Sequence, residues 1–236
     1  MIRVEHVETW GFDHAIRGMR NPMNSWAKSD SYEGCEMFGK CSDCYESVWR
    51  ECHGSDSKDI IGPNDLDLMR RLFIGGPEHR KYLRQIFVSM DIIAPDYWFK
   101  EFATYRIGVT ENSTSTMHKI HAKEFTMDDF SHERLLSTEK NGMPGEALGY
   151  ATLENTIMTL NVYRNLYLET KNKEYWYNMI QLLPMSYNYR RTVTMNYENV
   201  VNMIHQREFH KLDEWREFIE ILRGLPYIEE IMKCEK

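Results

Sequence analysis

Polar side chains suited to ligand binding recur among apolar residues in the C-terminal third of this 236-residue chain. Asn196, Asn202 and Arg207 fall in residues 183–215, which the sequence predicts as one continuous helix. At about 3.6 residues per turn, Asn196 and Arg207 lie three turns apart on nearly the same face as apolar Val200. Buried amide and guanidinium groups need partners, and arginine suits phosphate, carboxylate or carbonyl groups. This face therefore predicts either a structural network or a ligand.

The order of these residues resembles the C-terminal part of the flavin-dependent thymidylate synthases, the ThyX family. In that family a Leu-Pro pair precedes an asparagine, a second asparagine and an arginine. This chain has Leu183 and Pro184 followed by Asn196, Asn202 and Arg207. The residues also allow an unrelated α-rich protein whose core helix satisfies its own polar groups. Both interpretations predict a buried helix, and they differ in whether its polar residues bind a ligand.

A second segment, residues 104–121, stands where the family carries Arg-His-Arg followed by a serine, Asn-Glu, another serine and Arg-Tyr. Arg106 matches the third position of this signature. With one residue inserted, Asn112 and Ser115 match the asparagine and the later serine. The departures from the signature are Thr104, Tyr105, Ser113, Met117 and His118. The match is therefore partial.

The missing arginines bear on nucleotide binding, because in the family they hold flavin and nucleotide phosphates. Charge-assisted bidentate contacts are strong, so their loss would weaken binding unless Lys119, Arg190 or Arg191 replaced them. Taken without the family, the segment is a polar Ser/Thr/Asn loop between a strand and a helix. Such a loop either binds an anion or only connects two elements.

Residues 75–98 resemble the family segment in which a glycine and a histidine precede an apolar strand. His79 takes the position of that histidine. Arg84 falls where the family often carries a glutamate, which reverses the charge at this position. The segment therefore matches the family in pattern but not in charge.

The resemblance implies an α+β fold, with a central, mostly antiparallel sheet packed by long helices. It also implies a homotetramer with FAD at shared interfaces. Arg207 would be the catalytic group that polarises the pyrimidine, and Ser115 would contact the substrate together with Arg207. The residues that would bind FAD are His79, Arg106, Asn112, Asn196 and Asn202.

The reaction implied by the resemblance is the methylation of a pyrimidine deoxynucleotide, dUMP to dTMP in type. Its cofactors would be FAD, NADPH and methylenetetrahydrofolate, and the flavin would carry the difficult chemistry while protein groups orient it. Two alternatives remain open. One is a divergent flavoprotein acting on another pyrimidine nucleotide. The other is a noncatalytic nucleotide-binding or oligomeric protein whose cysteine-rich insert is held together by zinc.

Four cysteines crowd into one segment and form a candidate metal site. They are Cys35, Cys41, Cys44 and Cys52. A Cys-x2-Cys pair with two more thiols nearby suits tetrahedral zinc, although a second closely spaced pair is missing. Reduced, partly buried thiols are the alternative interpretation. We expect a cysteine-rich insert at about residues 31–58 within one domain that spans residues 1–236.

Composition limits the class of protein. A net charge of -7 argues against nonspecific nucleic-acid binding, whereas a single basic pocket for a nucleotide remains compatible with it. No apolar run has the length of a membrane span, and the N-terminus lacks the pattern of a signal peptide. We therefore expect a cytoplasmic protein that binds neither nucleic acid nor membranes.

Local patterns predict the elements that position these residues. Strands are expected over residues 2–7 and 86–93. Helices are expected from Asp13 to Arg20, from Pro63 to about Gly75, and over residues 150–169, 174–183 and 213–222, followed by a short helix. Residues 126–148 are predicted to be loop-like, because they contain the turn sequence NGMPGE.

Overall fold

A computed structural model describes residues 2–34, 58–136 and 147–233 of the chain. The strands in these ranges are β1 (Arg3–Trp10), β2 (Tyr32–Gly34), β3 (Lys58–Ile60), β4 (Phe87–Pro95), β5 (Thr110–Ser113) and β6 (Asn188–Asn196). The α-helices are α1 (Phe12–Arg20), α2 (Pro63–Ile74), α3 (Asp96–Phe102), α4 (Thr116–Lys119), α5 (Leu148–Thr170), α6 (Lys173–Leu182), α7 (Tyr197–Arg207), α8 (Asp213–Arg223) and α9 (Ile228–Met232). The predictions of β1, β4, α1, α2, α5, α6, α8 and the short α9 are confirmed.

Four strands form the central sheet in the order β1-β4-β6-β5. β5 and β6 run antiparallel, with Asn112 opposite Thr192. The side chains of Ser89 and Thr194 meet at 3.1 Å, and those of Asp91 and Thr192 meet at 2.6 Å. Because the paired residue numbers run in opposite directions, β4 and β6 are antiparallel as well. The prediction of an α+β fold with an antiparallel central sheet is confirmed.

The two faces of the sheet differ in polarity. Side chains alternate across a strand, so Val88, Met90 and Ile92 of β4 are buried on one face, whereas Ser89 and Asp91 lie on the other. On β6, Arg190 and Thr192 are exposed while Val193 and Met195 are buried. The polar face therefore carries charged side chains from three neighbouring strands.

The chain divides into two compact units. Unit 1 comprises Met1–Val7, Ser89–Thr194 and Arg207–Ile219. Its buried groups include an aromatic cluster in which the Trp98 ring lies 4.8 Å from Trp215 and 5.2 Å from Phe218. A second apolar cluster packs α5 and α6 against the segment around Phe125, with Phe125, Phe130, Leu153, Ile157, Leu160 and Met179 as members.

Unit 2 comprises Glu8–Val88, Met195–Gln206 and Glu220–Lys236. Within it, the buried Asp65 carboxylate of α2 accepts hydrogen bonds from Arg20 Nε at 2.5 Å, from the Ser29 hydroxyl at 2.7 Å and from the Ser31 hydroxyl at 2.7 Å. Burial acts to raise the pKa of Asp65. The hydrogen bonds from Ser31, Ser29 and Arg20 outweigh it and hold the pKa below its usual value. The carboxylate therefore ties α1 and the following loop to α2.

Two local predictions are wrong. Residues 183–215 are not one helix, because residues 188–196 pair as β6 with β5 and helix α7 begins only at Tyr197. The run NYRRTVTMN is rich in β-branched and aromatic residues, and its sheet partners decide its conformation. Residues 104–121 are not only a loop, since they contain edge strand β5 and the short helix α4.

Segment 126–148 is partly described. Met127–Asp129 forms a short 3-10 helix capped by Thr126, and residues 137–146 lie outside the described ranges. Among the described helices, none combines the length and the apolar character that a membrane span requires. The assignment of residues 1–236 to one domain stays a prediction.

Candidate functional site

A cavity of about 360 Å³ opens on the polar face of the sheet in unit 1. Side chains from β1, β4 and β6, from the residue before β6, from α4 and the residues just before it, and from the segment between α4 and α5 line it. These residues are Arg3, Ile93, Thr114, Ser115, Thr116, Lys119, Ile120, Lys123, Phe125, Asp128, Asp129, Tyr187, Asn188 and Arg190. Four cations and two carboxylates thus surround a volume suited to a small polar ligand.

Strand alternation and one helix cap place the polar groups of this cavity. Asn188 and Arg190 are two residues apart on β6 and therefore point to the same face. The Ser115 hydroxyl accepts the His118 backbone N–H at 3.2 Å as the N-cap of α4, which leaves its own hydrogen free to donate. Lys119, at the end of this one-turn helix, returns its side chain to the same cavity.

The cavity cations differ in whether they are already paired. Lys123 forms an ion pair with Asp129. Within the described ranges, neither Arg3 nor Lys119 has a carboxylate within ion-pair distance, so both charges remain available. A dianionic phosphate monoester would match two available cations and the Ser115 hydroxyl.

The cavity lining also includes two aromatic rings and an amide. Phe125 and Tyr187 pack with their ring centroids 6.3 Å apart, and burial raises the pKa of Tyr187 to about 12, so its hydroxyl stays protonated at neutral pH. The Ser131 hydroxyl donates to Asn188 Oδ1 at 2.9 Å, which leaves the amide N–H groups of Asn188 as its remaining donors. A flat heterocycle with carbonyl acceptors is compatible with such a wall.

Of the three basic residues that were expected to replace the lost arginines, two line the cavity and one does not. Lys119 and Arg190 line it together with Ser115. Arg191 points to the other face of β6, where its guanidinium carbon lies 4.0 Å from the Phe99 ring centroid and its Nη1 lies 2.9 Å from Glu111. Lys119 and Arg190 therefore lie where a replacement cation is needed, and Arg191 does not.

Arg207 lies elsewhere in unit 1 and does not line this cavity. Its Nε donates to the Tyr105 hydroxyl at 3.0 Å and its Nη1 donates to Glu101 at 3.0 Å. Its guanidinium carbon also lies 5.1 Å from the Trp215 ring centroid. Thr104 and Tyr105, which replace the Arg-His of the family signature, thus belong to the surroundings of Arg207. The 360 Å³ cavity, as lined by the described residues, thus includes Ser115 but not Arg207.

The remaining predicted flavin residues of unit 1 are exposed. Arg106 donates through Nε to the Ala103 carbonyl at 3.0 Å, and its other nitrogen atoms have no hydrogen-bond partner among the described residues. Asn112 lies on edge strand β5 opposite Thr192, with its side chain on the polar face. Both side chains therefore retain donors for a ligand.

In unit 2, Asn196 and Asn202 occupy different local environments. Asn196 is the last residue of β6, and its Oδ1 accepts the Asn199 backbone N–H at 3.1 Å, so it caps α7. Asn202 lies within α7 and is half-buried, and its side chain makes no hydrogen bond within the described part of the chain. Asn202 therefore keeps its amide for a ligand, whereas Asn196 has a structural role in addition to the predicted one.

His79 and Arg84, also in unit 2, lie in the segment between α2 and β4. His79 is exposed in the turn after α2, and its side chain packs against Gly75. The reversed charge of Arg84 is balanced by Glu198 of α7, whose carboxylate lies 2.5 Å from Arg84 Nε and 3.1 Å from its Nη2.

The predicted metal ligands Cys35, Cys41, Cys44 and Cys52 lie outside the described residues. Among the residues that the structure describes, no group of three or more His, Cys, Asp or Glu side chains is arranged to hold a metal ion.

No family model and no curated protein sequence matches this chain. Solved structures do match it. The flavin-dependent thymidylate synthase ThyX from Helicobacter pylori, complexed with FAD and dUMP, superposes with a TM-score of 0.62 at 17% identity and covers 99% of this chain and 100% of its own. The chain has the ThyX fold.

Two further structures carry the same fold. A second structure of Helicobacter pylori ThyX with FAD and dUMP gives a TM-score of 0.62 at 16% identity, covering 98% of this chain and 96% of its own. The UMP/dUMP methylase PolB from Streptomyces cacaoi, bound with 5-Br dUMP, gives 0.55 at 14% identity, covering 94% and 88%. The ThyX fold therefore spans nearly the whole chain, while the roles of individual residues remain predictions.

Several cavity residues escaped the sequence analysis, which followed the signature of the ThyX fold. Arg3, Lys123 and Asn188 line the cavity but belong to none of the family motifs. For Asn188, the alternation of polar and apolar residues in NYRRTVTMN is a usable signal once the run is assigned to a strand. Arg3 carries no such local signal, because β1 reaches the cavity only through the order of strands in the sheet.

Proposed function

We propose that this chain is a flavin-dependent enzyme that methylates a pyrimidine deoxynucleotide of the dUMP type, with methylenetetrahydrofolate as carbon donor and NADPH as reductant. The observation that carries the proposal is the cavity in which Ser115 meets Lys119 and Arg3, within a chain of the ThyX fold. Ser115 is the residue that the family signature assigns to the nucleotide. Lys119 and Arg3 supply charge where the signature arginines are missing.

In the proposed complex, the nucleotide phosphate lies against Arg3, Lys119 and the Ser115 hydroxyl. Two cations and one donor match a dianionic phosphate. Asn188 offers amide N–H donors to a pyrimidine carbonyl, and the protonated Tyr187 adds an aromatic wall. These residues bind and orient the nucleotide.

Arg207 is proposed as the catalytic group that polarises the pyrimidine. Its guanidinium is fixed by Glu101 and Tyr105 and lies over Trp215, so its orientation is set before any substrate binds. Because Arg207 does not line the cavity, we propose that the complete site combines residues of two copies of the chain. This is the arrangement expected for a homotetramer with shared sites.

The donors left unengaged fit a flavin. Arg106 and Asn112 in unit 1, and Asn202 in unit 2, retain N–H groups suited to a pyrophosphate and to the polar edge of an isoalloxazine ring. His79, exposed beside Gly75, and Asn196, at the start of α7, complete the proposed FAD-binding set. When bound, the flavin supplies the hydride for reductive methylation.

Self-association is supported by an exposed apolar seam on α5. The seam follows the alternating spacing of three and four residues that brings side chains to one helix face. Its apolar members are Leu148, Ala151, Met158 and Val162, and the polar Asn155 lies between Ala151 and Met158 on the same face. Leu148, Met158 and Val162 are 65%, 63% and 56% exposed. Light scattering is expected to give a tetramer, and Met158→Asp together with Val162→Asp is expected to dissociate it. A wild-type monomer would contradict this assembly.

The visible absorption spectrum of the purified protein, followed by an FAD titration, tests the proposed function. We expect a flavin band that is bleached by NADPH and recovers when dUMP and methylenetetrahydrofolate are added, with dTMP as product. A protein that binds neither FAD nor dUMP would refute the proposal. Flavin binding with turnover of another pyrimidine nucleotide would favour the divergent flavoprotein. Nucleotide binding without flavin would favour a noncatalytic protein.

We also propose that the cysteine-rich insert binds structural zinc through Cys35, Cys41, Cys44 and Cys52. Four thiolates within one short segment are a plausible tetrahedral set, because zinc prefers four soft ligands. Elemental analysis after purification in metal-free buffer is expected to give about one zinc per chain. Substitution of Cys41 and Cys44 by serine is expected to remove the zinc. A native protein that contains no zinc would contradict this proposal.

A further inference from the structure

Arg190 of β6 links three strands of the sheet through a pair of carboxylates. Its Nη1 lies 3.1 Å from Asp91 of β4, and its Nη2 lies 2.9 Å from Glu5 of β1. Thr192 donates to the other oxygen of Asp91 at 2.6 Å, which fixes that carboxylate as well. We call Glu5, Asp91, Arg190 and Thr192 the strand clamp.

Within the strand clamp, the guanidinium of Arg190 is already paired with two carboxylates. Both terminal nitrogens of the guanidinium are directed at carboxylates, and its single positive charge faces two negative charges. A phosphate arriving at Arg190 would have to compete with two carboxylates that already hold the guanidinium and balance its charge. Arg190 therefore lines the cavity without being suited to hold the anion.

The same residue fixes the segment that carries the available groups. The backbone carbonyl of Arg190 accepts the Thr114 N–H at 2.9 Å, one residue before Ser115. Ser115 in turn caps α4, which ends at Lys119. Arg3 lies on β1 two residues before Glu5, the clamp residue of that strand. The groups available for the anion are therefore connected to the strand clamp by one backbone hydrogen bond and a helix cap, or by a spacing of two residues along β1.

We propose that Arg190, held by Glu5 and Asp91, is a positioning residue that sets Ser115, Lys119 and Arg3 around a phosphate monoester, and that Arg3 and Lys119 are the cations that contact it. This inference rests on the proposed function only in taking the cavity as the phosphate site of the nucleotide. A simpler alternative is direct contact between Arg190 and the phosphate.

The two alternatives predict opposite effects of removing Asp91. If Arg190 contacted the phosphate, Asp91→Asn would remove a competing carboxylate and tighten binding. If Arg190 positions its neighbours, Asp91→Asn loosens the strand clamp and weakens binding. We expect Asp91→Asn and Arg190→Gln each to weaken dUMP and inorganic phosphate binding by several-fold. The double variant should be no weaker than Arg190→Gln alone, because both changes remove one interaction.

Isothermal titration of the full chain with dUMP and with inorganic phosphate provides the measurement. Lys119→Gln is expected to weaken both ligands by about tenfold, the loss of a direct charge-assisted contact. Arg191→Gln is the matched control, since it removes the same charge one residue away on the opposite face of β6, and it should change affinity by less than about twofold. Arg190→Lys, which cannot reach both carboxylates, should behave like Arg190→Gln.

Tighter phosphate binding by Asp91→Asn would overturn the inference, as would equal effects of Arg190→Gln and Arg191→Gln. A wild-type protein that binds neither dUMP nor phosphate would overturn it too, because the cavity would then not be a phosphate site. A protein whose phosphate binding depends on Lys119 and on the strand clamp as expected, but which never binds flavin, would refute the proposed function alone.

Discussion

The guanidinium of Arg207 lies 3.0 Å from the carboxylate of Glu101, Nη1 to Oε2, and is held there by Tyr105 from a second side. The Arg207 side chain is 15% exposed and that of Glu101 is 46% exposed, so the guanidinium is the more buried partner of the pair. Arg207, which we propose polarises the pyrimidine, is thus already paired with the carboxylate of Glu101. The charge of Arg207 is balanced, and its plane is fixed by neighbours rather than by substrate.

Substitutions at this pair should separate catalysis from stability. Arg207→Gln is expected to lower the rate of dUMP methylation at least about a hundredfold, as for loss of a preorganised donor to developing charge. Glu101→Gln should cost roughly 1 kcal/mol of unfolding free energy or less, because its side chain is nearly half exposed. Turnover assays and thermal denaturation would measure the two effects. Full activity in Arg207→Gln would show that Arg207 is purely structural.

The ion pair between Arg84 and Glu198 predicts a charge-swap result within unit 2. Arg84→Glu places two carboxylates together and should lower the melting temperature by a few degrees. Glu198→Arg should do the same, because it sets its new cation beside Arg84 and Arg80. Combining the two changes restores opposite charges, so the double variant should melt above either single variant. Additive losses in a thermal double-mutant cycle would contradict a direct pair.

Asp65 should make unit 2 sensitive to acid. Its folded pKa lies below the value of 3.8 for a free carboxyl, so its contribution is fully present above that pH and is lost as the pH falls through the folded pKa. Asp65→Asn is expected to cost about 3–5 kcal/mol at neutral pH, because it leaves Arg20 buried without its anion. Urea denaturation from pH 7 to 3 would test this. The variant should lose less stability over the acid range than the wild type, and equal slopes would contradict the assignment.

His210 is expected to titrate below its ordinary pKa of 6.5. Partial burial is the larger cause, and the positive charge of Arg207 adds to it. The folded state therefore favours the neutral ring, so this contribution to stability is present above pH 6.5 and declines as the pH falls. NMR titration of the imidazole should show the low value. Arg207→Gln should raise it toward 6.5, while Lys100→Gln, a charge change on α3, should not.

Local sequence patterns determined most of the helices and the strands β1 and β4. Proline and glycine mark the ends of α2, and apolar residues at helical spacing identify α5, α6 and α8. The family signature in the sequence also pointed to Ser115 and Arg207. The predictions of these helices and strands succeeded because caps, breakers and periodicity act over one or two helical turns, whereas the roles of Ser115 and Arg207 stay predictions.

Only the tertiary structure decided what residues 183–215 form and which cations share the cavity. The run before Asn196 has enough apolar spacing for a helix, yet pairing with β5 makes it a strand and turns Asn196 into a helix cap. Arg190 and Arg191 are equivalent in sequence, but the pleat sends one to the polar face and the other to Phe99. Sheet pairing and strand order join residues distant in the chain. Charges such as those of Arg3 and Lys119 therefore meet only once the sheet has formed.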